Sequence, residues 1–131
     1  MDHQYIQLEA GSATRSLVLF QKDNNLDGKD NLGSLPEAPA VYAICGRVNG
    51  TPANPRYVGE TDDLQRAVRM HFEASEPGQD ECFKEFMLSI KTKVLLYEVL
   101  PGSTGEERQA KKREWEATYK PVCTKELNEV H

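Results

Sequence analysis

Leu64, Ala67, Val68, His71 and Phe72 fall at i, i+3, i+4, i+7 and i+8, the spacing that lines five side chains along one stripe of an α-helix. A one-sided helix has to bury that stripe against a second layer, so this segment demands a sheet or another helix beside it. Thr61 or Asp62 is suited to cap its start, and Asp62 and Asp63 add negative charge where the helix dipole favours it. The pattern predicts a helix over residues 62–75.

Short apolar runs supply the second layer. Ala40-Val-Tyr-Ala-Ile-Cys45 and Arg56-Tyr-Val-Gly59 read as strands, and residues 46–55, rich in Gly, Pro and Asn, read as a long hairpin connection between them. Downstream, residues 80–89 predict a second helix with Cys82, Phe83, Phe86, Met87 and Ile90 inward. Lys93–Leu100 predicts a third strand stopped by Pro101-Gly102. A last helix from Ser103 or Thr104 to Tyr119 ends before Pro121 on a thin stripe of Ala110, Trp115 and Tyr119. Strand, strand, helix, helix, strand, helix implies an α+β domain with antiparallel pairing over residues 38–131. Residues 1–37 read as an N-terminal extension: a strand at Ser16–Gln21, then an Asp/Asn/Gly loop. Within that loop Asp23-x-Asn25-x-Asp27-Gly28 resembles the opening of a calcium-binding EF-hand loop. Its twelfth position is Ser34 rather than glutamate, so a surface turn is the better reading.

A chain of 131 residues can build one core without staples. Cys45, Cys82 and Cys123 form neither a zinc pattern nor a CxxC pair, and are expected as free thiols. The longest apolar runs are far short of the ~20 residues of a membrane span. The opening Met1-Asp2-His3-Gln4 lacks the basic flank of a signal peptide, so a cytoplasmic protein with no membrane contact is expected. Sixteen basic against twenty-one acidic residues give a net charge of −5, which argues against avid general DNA binding and leaves room for a local nucleic-acid site or a protein partner. The one basic run is Arg108-Gln-Ala-Lys-Lys-Arg113, so Arg108, Lys111, Lys112 and Arg113 are the candidate binding residues. Nothing in the sequence fixes an oligomeric state.

Tyr42, Tyr57 and His71 are the candidate chemical residues. Taken singly, each tyrosine suits a strand and each reads as packing. Together, Ala40-Val-Tyr42, a connection, Tyr57-Val-Gly-Glu-Thr-Asp-Asp-Leu64 and a helix carrying His71 closely resemble the GIY-YIG nuclease family over residues 38–124. The resemblance implies a central three-stranded antiparallel sheet flanked by helices, and phosphodiester hydrolysis with one divalent metal. It implies that the first tyrosine activates water, the second organises it, a helix arginine stabilises the phosphorus, a glutamate holds the metal and an asparagine supports the site.

Three of those positions are replaced. The arginine position is Ala67; Arg66 and Arg69 are candidate substitutes, turned about 100° and 200° from it around the helix. With Trp115 and Pro121 fixing the frame of the last helix, the glutamate position is Lys112 and the asparagine position Thr124; the leading glycine is Ala40. Loss of a transition-state arginine alone costs about 10³ to 10⁵ in phosphoryl transfer, and a hard cation without a carboxylate has no anchor. The expectation is therefore a degenerate active site, no cofactor, and a non-catalytic module that binds nucleic acid or protein. Lys112 would there supply the single positive charge that glutamate plus metal would have left, or else lay its stem along Trp115. The alternative is an active endonuclease using Mg²⁺ or Mn²⁺, with Glu116 as the metal ligand, Glu114 pointing off that face, and Arg66 or Arg69 on the phosphate.

Overall fold

The computed structural model describes residues 14–19, 30–73, 81–89 and 91–123. The strands are β1 (Arg15–Leu19), β2 (Ala40–Val48), β3 (Thr51–Thr61) and β4 (Lys93–Val99); the helices are α1 (Leu64–Glu73), α2 (Glu81–Leu88) and α3 (Gly105–Tyr119). The strands form one antiparallel sheet in the order β1-β4-β2-β3. The α+β class and antiparallel pairing match expectation, but the sheet has four strands, not three. The extra strand comes from the predicted extension: Leu17 pairs with Leu95 and Leu19 with Lys93. Leu19, Leu32 and Leu35 are buried in the same core as Ile44 and Leu95, so the segment before residue 38 contributes directly to the sheet and its packing.

The predicted long connection after Cys45 is in fact strand. β2 and β3 run on to a two-residue turn at Asn49 (φ 51°) and Gly50 (φ 80°). Both central residues are left-handed, as a type I′ hairpin turn requires, and Asn-Gly is the pair that adopts it most readily. Pro52 and Pro55 are tolerated because β3 is an edge strand and its register slips twice beside Cys45, leaving Asn54 and Arg56 outside the one-to-one pairing.

Alternation along β2 builds two cores. Ala40, Tyr42 and Ile44 face α1 and α2, packing with Leu64, Val68, Phe83 and Met87. Val41, Ala43 and Cys45 face α3, packing with Val58, Leu96 and Trp115. The molecule is thus three layers: α1 and α2, the sheet, and α3. The predicted helix stripe is present, with Leu64, Val68 and His71 buried and Ala67 and Phe72 at its margins. Its cap is Asp63 rather than Thr61 or Asp62: the Asp63 carboxylate accepts the Arg66 backbone N–H at 3.1 Å, while Thr61 forms a hydroxyl-mediated turn with Asp63 just before it. α3 begins with a reciprocal capping box between Thr104 and Glu107 and ends at Lys120 in the left-handed conformation. Ala110 is exposed, so among the predicted stripe residues Trp115 and Tyr119 carry the apolar α3 contact.

The expectation of three free thiols is corrected. Cys82 on α2 and Cys123 beyond α3 form a disulfide, and Cys45 alone is free, buried in the core under α3. A 41-residue separation says nothing about spatial distance, and here the chain returns round the sheet to bring the two cysteines together. Asp23, Asn25, Asp27 and Gly28 of the calcium-like run, Ile90 and Thr124 lie outside the described residues. No described helix is long and apolar enough to cross a membrane.

Candidate functional site

Cross-strand register brings the two tyrosines together. Tyr42 on β2 lies opposite Gly59 on β3, and Ile44 lies opposite Tyr57. Both rings lean over Gly59: a Cβ placed there would come within 2.8 Å of Tyr42 Cζ and Oη and of Tyr57 Cε2. The Tyr-Val-Gly run is therefore a packing device, in which the missing side chain makes room for two phenols. From α1, buried His71 enters the same space and sets Nε2 2.7 Å from Tyr42 Oη. Phe83 of α2 closes the cluster, stacked on Tyr57 at 4.7 Å between ring centroids and edge-on to His71 at 5.1 Å. The sequence places Tyr42, Tyr57 and His71 as candidates, and the structure does bring all three together.

The chemistry of this cluster is that of an interior. Tyr42 and His71 are each 2% exposed. Burial pushes the His71 pKa from 6.5 down to about 4, so the imidazole is neutral at neutral pH. One tautomer accepts the Tyr42 O–H at Nε2 and carries an N–H at Nδ1; the other donates from Nε2 to Tyr42 Oη and leaves Nδ1 a bare acceptor. Either way Nδ1 is buried with no hydrogen-bond partner among the described residues. A base this weak is poorly matched to proton abstraction at neutral pH, and a phenol this enclosed is poorly placed to meet a phosphate or its attacking water.

The divalent metal that the nuclease resemblance implies does not fit these donors. The cluster offers phenols, one imidazole and a phenyl ring, and a hard cation needs carboxylate or carbonyl oxygen. Among the described residues no group of three or more His, Cys, Asp or Glu side chains is arranged to hold a metal.

The remaining candidates lie elsewhere. Ala67 sits at the core margin on the His71 face of α1. Arg66 is exposed and paired with Asp62 at 2.7 Å; Arg69 is engaged by Gln65 at 3.5 Å and Asp30 at 3.6 Å. The basic run on α3 lies across the sheet from the tyrosines, because α3 packs on the Val41–Ala43–Cys45 face. Arg108 is held by Glu60 at 2.9 Å and by the Ser103 carbonyl at 2.8 Å. Lys111 is 3.9 Å from Glu98 and 3.8 Å from Glu114, and Lys112 is 3.9 Å from Glu116. Arg113 is exposed. Lys112 and Glu116 thus answer each other along one helix, and neither joins the tyrosine cluster. Sequence pattern alone does not mark Gly59 or Phe83 as site residues, although a hairpin register that sets Gly59 opposite Tyr42 points to the glycine.

The chain matches no known family model, no curated protein and no solved structure.

Proposed function

We propose that this chain is a nuclease-like binding module without hydrolytic activity, recognising a nucleic acid at a narrow site or a protein partner. The observation that carries the reading is the buried Tyr42–His71 hydrogen bond: the phenol expected to activate water is instead closed into the core by a neutral imidazole. Three further points support it. Alanine stands where a transition-state arginine is expected, the cluster has no described set of metal ligands, and the candidate carboxylate Glu116 pairs with Lys112 on the far side of the sheet. The net charge of −5 disfavours a broad nucleic-acid groove.

A nicking assay on supercoiled plasmid with Mg²⁺ or Mn²⁺ tests the reading. No nicking above a protein-free control is expected. Nicking that disappears in Tyr42→Phe would overturn it, and loss in Glu116→Gln as well would place the metal on α3.

A further inference from the structure

Among the described residues, a group of positive charges without acidic partners lies away from both the basic run of α3, where Arg108, Lys111 and Lys112 are paired, and the tyrosines. It lies at the far end of the β2–β3 hairpin, where a cleft of about 480 Å³ opens between the Asn49-Gly50 turn and the α2–β4 connection. That volume falls within the range of roughly 300–1,000 Å³ usual for small-ligand sites. Its charged lining is Arg47, Arg56 and Lys91, with no acidic residue among the lining side chains. None of the three forms an ion pair with a described residue, whereas Arg108, Lys111 and Lys112 all do. Three cations share one concavity on a chain that carries −5 overall.

The positions are built rather than loose. Arg56 lies over the Phe86 ring, 4.6 Å from its centroid, and donates from Nε to the Asn54 carbonyl at 3.2 Å. Phe86, on α2, is itself buried in the core that α2 shares with the sheet, so this guanidinium is braced, and its terminal nitrogens have no hydrogen bond to a described residue. Behind it, buried Lys93 also approaches Phe86, at 5.4 Å, and donates to the Ser89 and Lys91 carbonyls at 2.7 and 2.8 Å. Those bonds tie the α2–β4 connection that presents Lys91 and Thr92. Arg47 projects from the hairpin on the other wall, beside a type I′ turn that fixes its neighbours.

We infer that this cleft binds a phosphate monoester, carried by a nucleotide or by the phosphorylated end of a nucleic-acid strand. A dianionic phosphate matches a cleft lined by three positive charges better than a singly charged diester does, and guanidinium groups recognise its oxygens in bidentate fashion. The cleft is larger than one phosphate needs. Its uncharged polar lining of Asn49, Asn54 and Thr92 offers donors and acceptors for an attached sugar or base, which favours a nucleotide over a bare anion. The inference extends the binding-module reading and can fail without it, because phosphate binding and strand cleavage are separate readouts.

The test is nuclear magnetic resonance titration of the full, oxidised chain at low salt with inorganic phosphate, 5′-AMP and adenosine. 5′-AMP is expected to shift the amides of Asn49, Gly50 and Thr92, inorganic phosphate to do so more weakly, and adenosine not at all. Arg47→Gln and Lys91→Gln are exposed substitutions expected to leave the melting temperature unchanged and to weaken 5′-AMP binding about five- to tenfold each. A single-stranded oligonucleotide with and without a 5′-phosphate identifies the source. Tighter binding of the phosphorylated strand than of 5′-AMP assigns strand ends, and the reverse assigns free nucleotides. Equal binding of the two strands, each at least as tight as 5′-AMP, overturns the monoester. A phosphoserine peptide that binds more tightly than 5′-AMP overturns the nucleotide assignment in favour of a protein ligand. No shift at the three amides with 5′-AMP, or an affinity untouched in the double variant, overturns the site itself.

Discussion

His71 should make this protein acid-sensitive in a way that one substitution removes. In the unfolded chain its imidazole titrates near 6.5; in the fold, burial holds it near 4. Between those values the unfolded state takes up a proton that the native state refuses, so stability falls as pH drops through this window and is unaffected by this group above it. The gap of 6.5 − 4 = 2.5, at about 1.4 kcal/mol for each pH unit, gives a loss of about 3 kcal/mol once the pH is below 4. For a domain this size that is on the order of 10 °C in melting temperature. Urea unfolding of the wild type and His71→Gln from about pH 7.5 down to about pH 4 isolates the effect, because the carboxylates titrate in both proteins and cancel in the difference. Glutamine keeps a partner for the Tyr42 hydroxyl and cannot titrate. The wild type should lose about 3 kcal/mol relative to the variant across that range, with unchanged m-values. A difference flat to roughly 0.5 kcal/mol, close to the usual limit of additivity, would refute the buried neutral imidazole. So would a proton-resonance titration of His71 with its midpoint near 6.5.

Gly59→Ala places a methyl 2.8 Å from both tyrosine rings; a destabilisation of about 1–3 kcal/mol is expected from overpacking, partly relieved in Gly59→Ala/Tyr57→Leu, and equal stability of the single variant would refute the close approach. Reducing Cys82–Cys123 reopens a loop of 41 residues, which the chain-entropy account values at about 4 kcal/mol; urea unfolding with and without a phosphine reductant measures it, and an unchanged midpoint would deny the bond. Cys45 is fully buried, and burial pushes its thiol up to about 12 against the pull of Arg56, so a thiol-reactive dye should label the oxidised native chain negligibly and one site per molecule after denaturation.

What could and could not be read from the sequence divides along one physical line. Features set by neighbours a few residues apart were legible. The stripe from Leu64 to Phe72, the alternation of Ala40 to Cys45 and the stop at Pro121 each depend on local periodicity or backbone restriction, and α1, β2 and α3 follow them closely. The Asn49-Gly50 turn was equally local and was masked only by the prolines that follow, which an edge strand with register slips accommodates. Features set by residues far apart in the chain were not legible. The basic run Arg108–Arg113 looks like the positive patch because its charges are adjacent in sequence. In space, Glu60, Glu98, Glu114 and Glu116 answer three of its four cations. Arg47, Arg56 and Lys91 never stand together in sequence, yet antiparallel pairing of β2 with both β3 and β4 brings them to one cleft, where none has an acidic partner among the described residues. The same distinction governs the tyrosines. Tyr42, Tyr57 and His71 were expected together, and register does join them. Whether such a trio faces solvent or core depends on Phe83 and on the layer that α2 forms over it, which no spacing between the three residues encodes. The inference of a phosphate site in the hairpin cleft rather than on the basic helix therefore rests on which clustered charges lack an acidic partner among the described residues, not on which are adjacent in sequence.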